Sequence, residues 1–250
     1  MSKTVTLFAA SAMATLGLTA SVYAAPVSTL DSTAQVTFIP NDQPSGPLDP
    51  NNPDPTNPVK PVDPNNPNKP DNPNAGPLSL DFASSFNFGQ NKITTTDETY
   101  YADAQKFTDG QGKTTTGPNY VQVTDNTGDD KGWVLSVTQQ GDLTDNKNSL
   151  DGAVITLHDA NVKGIAGTGA TAPIVAANDI VLEKGQKKLV MTAAANSGQG
   201  TWLTRFGSDK LADDKAVSLF VPGKAVKHAA TYSTTLNWSL EQVPTNTPIK

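Results

Sequence analysis

Leu236-Asn237-Trp238-Ser239-Leu240-Glu241 alternates strictly, with Leu, Trp and Leu on one side and Asn, Ser and Glu on the other. Successive side chains of a strand point to opposite faces, so this is a strand with one face on a core and its back in water. Gly132-Trp133-Val134-Leu135-Ser136-Val137 carries the same Trp-x-Leu phrase far upstream. Trp occurs three times in 250 residues, so its double use in one phrase is a pattern. In the upstream copy Trp133, Leu135 and Val137 share a face, while Val134 makes the opposite face partly apolar. Trp202, Thr204 and Phe206 add a third aromatic-bearing face.

Outward from these phrases the chain reads strand, turn, strand. Period-two or β-branched stretches fall at 78–88, 120–125, 133–139, 153–158, 174–182, 188–194, 201–206, 217–221 and 231–242. Asp109-Gly110, Thr127-Gly128, Asp145-Asn146, Asp151-Gly152, Lys184-Gly185, Ser197-Gly198 and Pro222-Gly223 punctuate them. Helical turns fit only at 171–177 and 211–216. The spacing predicts an all-β fold, a single antiparallel β-sandwich or barrel-like domain over 78–250.

The first 24 residues have the form of a secretory signal. Lys3 gives a minimal positive start, an uncharged stretch follows, and Val22-Tyr23-Ala24 offers small residues for cleavage. Ser11, Thr15, Gly17 and Thr19 interrupt the stretch, which makes it a poor membrane span. No span is expected after cleavage. Residues 25–39 then form a short segment whose Ala34-Gln35-Val36-Thr37-Phe38-Ile39 reads as one strand. Of 19 prolines, 13 lie between Pro40 and Pro77, which predicts extended, solvated chain with no apolar face to bury. Region 40–77 is therefore either a spacer or an insertion between strands.

Composition narrows the function. With no Cys, disulfides, thiolate chemistry and Cys-ligated metals are excluded. A net charge of −6 opposes nucleic acid, whose phosphates need a basic surface, and opposes simple attraction to anionic polymers. The Asp125-Asn126-Thr127-Gly128-Asp129-Asp130 loop lacks the alternating oxygen ligands of an EF-hand and reads as a hairpin turn. His158-Asp159 is a lone neighbour pair, with His158 expected at a strand end on the surface. No Gly-x-Ser-x-Gly elbow, His-Glu-x-x-His or phosphate-binding loop occurs. No enzyme, cofactor or metal is expected.

The Trp rings admit two roles. As core pillars, each buries on the order of 200 Å². Displayed outward, they would stack on wall glycan or peptide. The alternation favours burial at Trp238 most clearly and at Trp133 less so, because of Val134. Trp133, Leu135, Trp238 and Leu240 are then structural first and ligand-binding second, with Trp202 a secondary aromatic candidate.

The doubled Trp-x-Leu resembles the WxL family of cell-surface proteins of low-GC Gram-positive bacteria. The resemblance extends through Val36-Thr37-Phe38 with the Pro-Asp-rich run, Leu78–Phe82 leading to Asn87-Phe88-Gly89, and Val121–Gly128 before Gly132-Trp133. Gly198–Trp202 running to Phe206-Gly207, and the final phrase, complete the ordered set. It implies a secreted protein held non-covalently on peptidoglycan at the cell surface, with other surface proteins as possible partners. The chain ends at Lys250 without a Leu-Pro-x-Thr-Gly sorting motif, in keeping with that expectation.

Overall fold

The computed structural model describes residues 28–68, 74–165, 169–208 and 212–243, and the expected signal segment 1–24 lies outside them. The chain divides into two units, Met1–Thr37 and Phe38–Lys250. The described residues of the first are exposed and without regular structure. The strand expected at 34–39 does not form: Val36 is 74% exposed and Phe38 89%. β-Propensity needs a partner strand and a surface to pack on, and this hexapeptide has neither.

The second unit is all-β. In chain order its strands begin β1 (Lys60–Val62), β2 (Leu78–Ala83), β3 (Glu98–Tyr101), β4 (Gln105–Thr108) and β5 (Thr114–Gly117). Next come β6 (Tyr120–Asp125), β7 (Trp133–Gln139), β8 (Val154–Leu157), β9 (Asn161–Gly164) and β10 (Ile174–Val175). The series ends with β11 (Ile180–Val181), β12 (Lys187–Ala193), β13 (Gly200–Arg205), β14 (Val217–Val221) and β15 (Leu236–Gln242). Among the described residues one 3-10 turn, Asp213–Lys215, precedes β14.

These strands pair antiparallel into four small, blade-like sheets: β1-β4-β5, β10-β12-β7-β15, β11-β8-β14-β3 and β2-β6-β13-β9. The inner faces of the three four-stranded sheets share one core. Val121 and Val123 of β6, Leu135 and Val137 of β7, Leu157 of β8 and Val217 of β14 meet there, all at 0% exposure. The strand expected at 174–182 is instead two two-residue strands in different sheets, split by the Asn178-Asp179 turn. The strand expected at 78–88 stops at Ala83. Strands β3, β4, β5 and β9 have no sequence forecast, because their polar residues carry no clear alternation.

The Pro-rich region departs further from the expectation set by its composition. It is solvated only in part and does bury apolar groups: Pro47, Leu48, Pro50, Pro53, Val59 and Pro61 are buried while 40–44, 55–58 and 65–68 are exposed, and β1 pairs with β4. The reason lies in β6, where all six residues are buried. Its inner face is core, but its outer face carries Tyr120, Gln122 and Thr124, and residues 46–50 cover it. The Gln122 side chain acts as a surrogate peptide group. Its Oε1 accepts the Leu48 N–H at 2.9 Å and its Nε2 donates to the Gly46 carbonyl at 3.0 Å. Arg205 Nη1 donates to the Pro50 carbonyl at 3.3 Å on the same face. Proline removes donors, so a Pro-rich chain cannot join a sheet freely. It docks here through the few N–H groups and carbonyls it keeps.

Beneath that cover lies a buried carboxylate. A bulge in β2 at Asp81 turns its side chain onto the outer face, where it accepts from Ser79 Oγ at 2.6 Å, Thr124 Oγ1 at 2.6 Å and Gln122 Nε2 at 3.0 Å. Burial pushes its pKa up, against the pull of these three donors.

Candidate functional site

The two Trp-x-Leu phrases lie on neighbouring strands. In the β7–β15 ladder Trp238 pairs with Val137, Leu240 with Leu135 and Gln242 with Trp133. Both phrases therefore present Trp and Leu to the same side, the core.

Their burial is unequal, in the reverse of the order the alternation suggested. Trp133 is fully buried. It sits on a central strand, flanked by β15 on one side and by Ala193 of β12 on the other, and its Nε1 donates to the Gly198 carbonyl at 3.2 Å. Trp238 is half-buried, because β15 ends its sheet and leaves one flank open. Its ring meets Phe206 at a centroid distance of 6.4 Å, tilted by 34°. Clean alternation reports which face a strand buries, not whether the strand is central.

Trp202 is 6% exposed and also belongs to the core. It crosses from β13 onto Gly164 of β9, its direct partner. A Cβ at Gly164 would stand 2.4 Å from Trp202 Cζ3, so only glycine lets the indole lie on the backbone there. Its Nε1 donates to the Gln199 carbonyl at 2.9 Å.

The acidic loop after β6 is a structural junction. Asp125 Oδ1 accepts the N–H of Thr127 at 3.0 Å and its hydroxyl at 2.7 Å, closing the turn on itself. Asp129 pairs with Lys131 at 2.9 Å and accepts Gln242 Nε2 at 2.8 Å, which fastens the end of β15. Lys131, aided by backbone and Thr127 donors, holds the Asp129 carboxyl down at about 2. Asp130 accepts from Gln199. Among the described residues no three His, Asp or Glu side chains gather as a metal site would need.

His158 is not a simple surface residue. Its Nε2 is 2.8 Å from Ser218 Oγ and its Nδ1 is 3.3 Å from Asp179 Oδ2, while Asp179 Oδ1 accepts the Asp159 N–H at 3.1 Å. The spacing is that of a nucleophile, base and orienting carboxylate. Acyl transfer also needs free N–H donors beside the nucleophile. Ser218 lies within β14, paired with Tyr101 on one side and Thr156 on the other, so the ladder consumes the neighbouring amides. What the geometry delivers is a tie between the turn before β11 and strand β14.

One cavity stands apart from these contacts. It is an open surface depression of about 310 Å³ beside β3 and the 3-10 turn, with Phe88, Tyr100, Tyr101, Asp103, Asp214 and Lys215 in its lining. Its walls come from residues 88–91, 99–103 and 214–215, and no motif marks them. The adjacent pair Tyr100-Tyr101 is a weak sequence signal for it, because the pair does not alternate.

A family model described as "WxL domain surface cell wall-binding" matches residues 25–244. The chain belongs to the WxL family. No curated protein and no solved structure matches it. The family is one of cell-surface, wall-binding domains rather than of enzymes. In this WxL domain the two phrases that define the family face the shared core, Trp133 within it and Trp238 at its margin. Among the described residues no helix is long and apolar enough to cross a membrane.

Proposed function

We propose that this WxL domain is exported, with a signal cut after Ala24, and attaches non-covalently to peptidoglycan on a Gram-positive cell surface. The observation that carries the reading is the match to a wall-binding family model over residues 25–244. That the match begins at residue 25 agrees with a signal ending at Ala24. Because the family Trp residues serve the core, binding falls to surfaces the core positions rather than to the phrases themselves. Sedimentation with purified sacculi stripped of protein tests this. The chain should pellet with stripped sacculi; a chain that stays in the supernatant overturns attachment to peptidoglycan.

A second reading is favoured by one feature, the outer edge of β15, which pairs with no strand of the described residues. A free edge can accept a strand from another protein. Under that reading the partner is a co-resident surface protein, and the chain pellets only with sacculi that still carry their proteins.

A further inference from the structure

Strand β15 carries a row of backbone groups that no strand answers. The Gln140 N–H donates to the Thr235 carbonyl at 2.9 Å and the Val243 N–H to the Gly132 carbonyl at 3.1 Å. The odd-numbered residues of β15 therefore turn their N–H and C=O groups toward β7. Alternation turns those of Leu236, Trp238 and Leu240 outward, where no strand of the described residues pairs with them. β2 passes beside β15 yet bonds only to β6. Leu236, Trp238 and Leu240 are half-buried, so a further strand here would extend the sheet and close over an apolar margin.

A segment of matching character lies in the same chain. Ala34-Gln35-Val36-Thr37-Phe38-Ile39 is uncharged and free of proline, exposed, and without regular structure. Alternation puts Ala34, Val36 and Phe38 on one side. As a strand it would span about 20 Å, nearly the length of the seven residues of β15. We propose that this hexapeptide adds to the outer edge of β15 in a second copy of the chain, an inference that rests on the reading of that edge as a strand acceptor. Set antiparallel with Val36 opposite Trp238, Phe38 falls opposite Leu236 and Ala34 opposite Leu240. The outward groups of β15 then find partners, and the apolar sides of both strands face the same way. The guest strand enters between β15 and β2, which no backbone hydrogen bond joins.

Direction selects a second copy over the chain's own segment. The Asn41 N–H donates to the Asn126 carbonyl at 3.3 Å. Asn126 opens the loop from β6 to β7, and the same loop's Asp129 accepts Gln242 at the end of β15. A segment tethered there would approach the loop alongside β15 in the parallel sense. Antiparallel addition is the sense of every ladder in this sheet and the stronger per residue, and it needs a strand from another molecule. The contact is heterologous, one chain's segment on the next chain's edge, so it repeats without closing on itself.

The absence of Cys makes disulfide trapping a clean test. Thr37 and Asn237 stand opposite each other in this register as a non-hydrogen-bonded pair, whose Cα spacing of about 4.5 Å suits a disulfide. Purified Thr37→Cys and Asn237→Cys chains, mixed and mildly oxidised, should form a cross-linked dimer well in excess of either variant alone. A chain carrying both substitutions should form a ladder of multimers. Val36→Pro removes one N–H aimed at the edge and should lower the yield about tenfold. All three positions are exposed, so thermal melts should match the wild type. Light scattering of the unsubstituted chain should show a mass that rises with concentration. A mass that stays monomeric, equal cross-linking in the single-variant controls, a yield indifferent to Val36→Pro, or an internal disulfide in a monomeric double variant overturns the proposal. Sedimentation with sacculi that retain their proteins separates this inference from the reading beneath it. Pelleting without cross-linking sinks self-addition and leaves the edge to a foreign strand; cross-linking without pelleting keeps self-addition and sinks the surface-protein partner.

Discussion

Leu135 stands directly opposite Leu240 in the β7–β15 ladder, so the two Trp-x-Leu phrases meet head to tail around one leucine pair. From that pair they run in opposite directions. Trp133 falls inside a strand flanked on both sides, and Trp238 falls on the edge strand. The expected consequence is a graded response. Trp133→Ala should cost about 3–5 kcal/mol, the range for emptying a large aromatic site in a core. Trp238→Ala should cost about 1–3 kcal/mol, since less apolar area leaves water there. Urea unfolding of both variants measures the gap. If Trp238→Ala keeps full stability yet fails to sediment with sacculi, that ring is a ligand platform instead.

Gly198 is the second support of Trp133. Its φ is +78°, and a Cβ there would lie 2.4 Å from Ala193 Cβ and 2.8 Å from Trp133 Nε1. Gly198→Ala therefore combines left-handed backbone strain with overpacking of a closed core, a cost of about 2–4 kcal/mol. A wild-type urea midpoint would mean that the 194–200 loop yields without moving the indole.

What the sequence revealed and what it concealed divide along physical lines. The all-β antiparallel character was legible because alternation is local and Trp, Val and Thr mark it residue by residue. The rank of a strand within its sheet was not, and so the burial of Trp133 and Trp238 came out inverted. The Pro-rich region misled because composition describes what a segment does alone. Gln122, an internal polar residue of β6, gives Gly46 and Leu48 the hydrogen bonds their own segment cannot supply. The cavity at Tyr101 was invisible because its walls converge only in the fold.

Gln122 thus becomes the test of how the Pro-rich region is held. Gln122→Leu keeps an apolar stem but strands the Leu48 N–H and the Gly46 carbonyl, each an unsatisfied group costing about 1–3 kcal/mol. A loss of about 2–6 kcal/mol is expected, since the Asp81 carboxylate loses its Gln122 donor as well, with protease cleavage appearing first between residues 40 and 60. Unchanged proteolysis and stability would show that apolar contacts of Leu48 and Val59 suffice by themselves.

Asp129 links stability to acid. Its carboxyl titrates at about 2 in the folded protein, held down mainly by Lys131, below the ordinary Asp value of about 3.9. A depressed pKa adds stability above the unfolded value and loses it as pH falls toward the folded one. The melting temperature of wild type should therefore exceed that of Asp129→Asn at about pH 6, and the gap should shrink below about pH 4 and close as pH falls to about 2. A gap that widens on acidification would show that the loop is held by something other than this charge.

Retention on the cell should respond to denaturant far more than to salt. The chain has no Cys to accept lipid, and the proposed attachment is an equilibrium of the folded domain with the wall. At net charge −6, bulk attraction to an anionic wall contributes little, so salt screening has little to remove. Hydrogen bonds and stacking at a folded site vanish when the domain unfolds. Intact cells washed in strong urea should release the chain almost completely, whereas about 1 M salt should release only a fraction, since it screens long-range charge alone. Quantitative immunoblotting of wash and pellet measures both. Material that resists urea and leaves only after enzymatic digestion of the wall would mean a covalent bond, and the equilibrium account would fall.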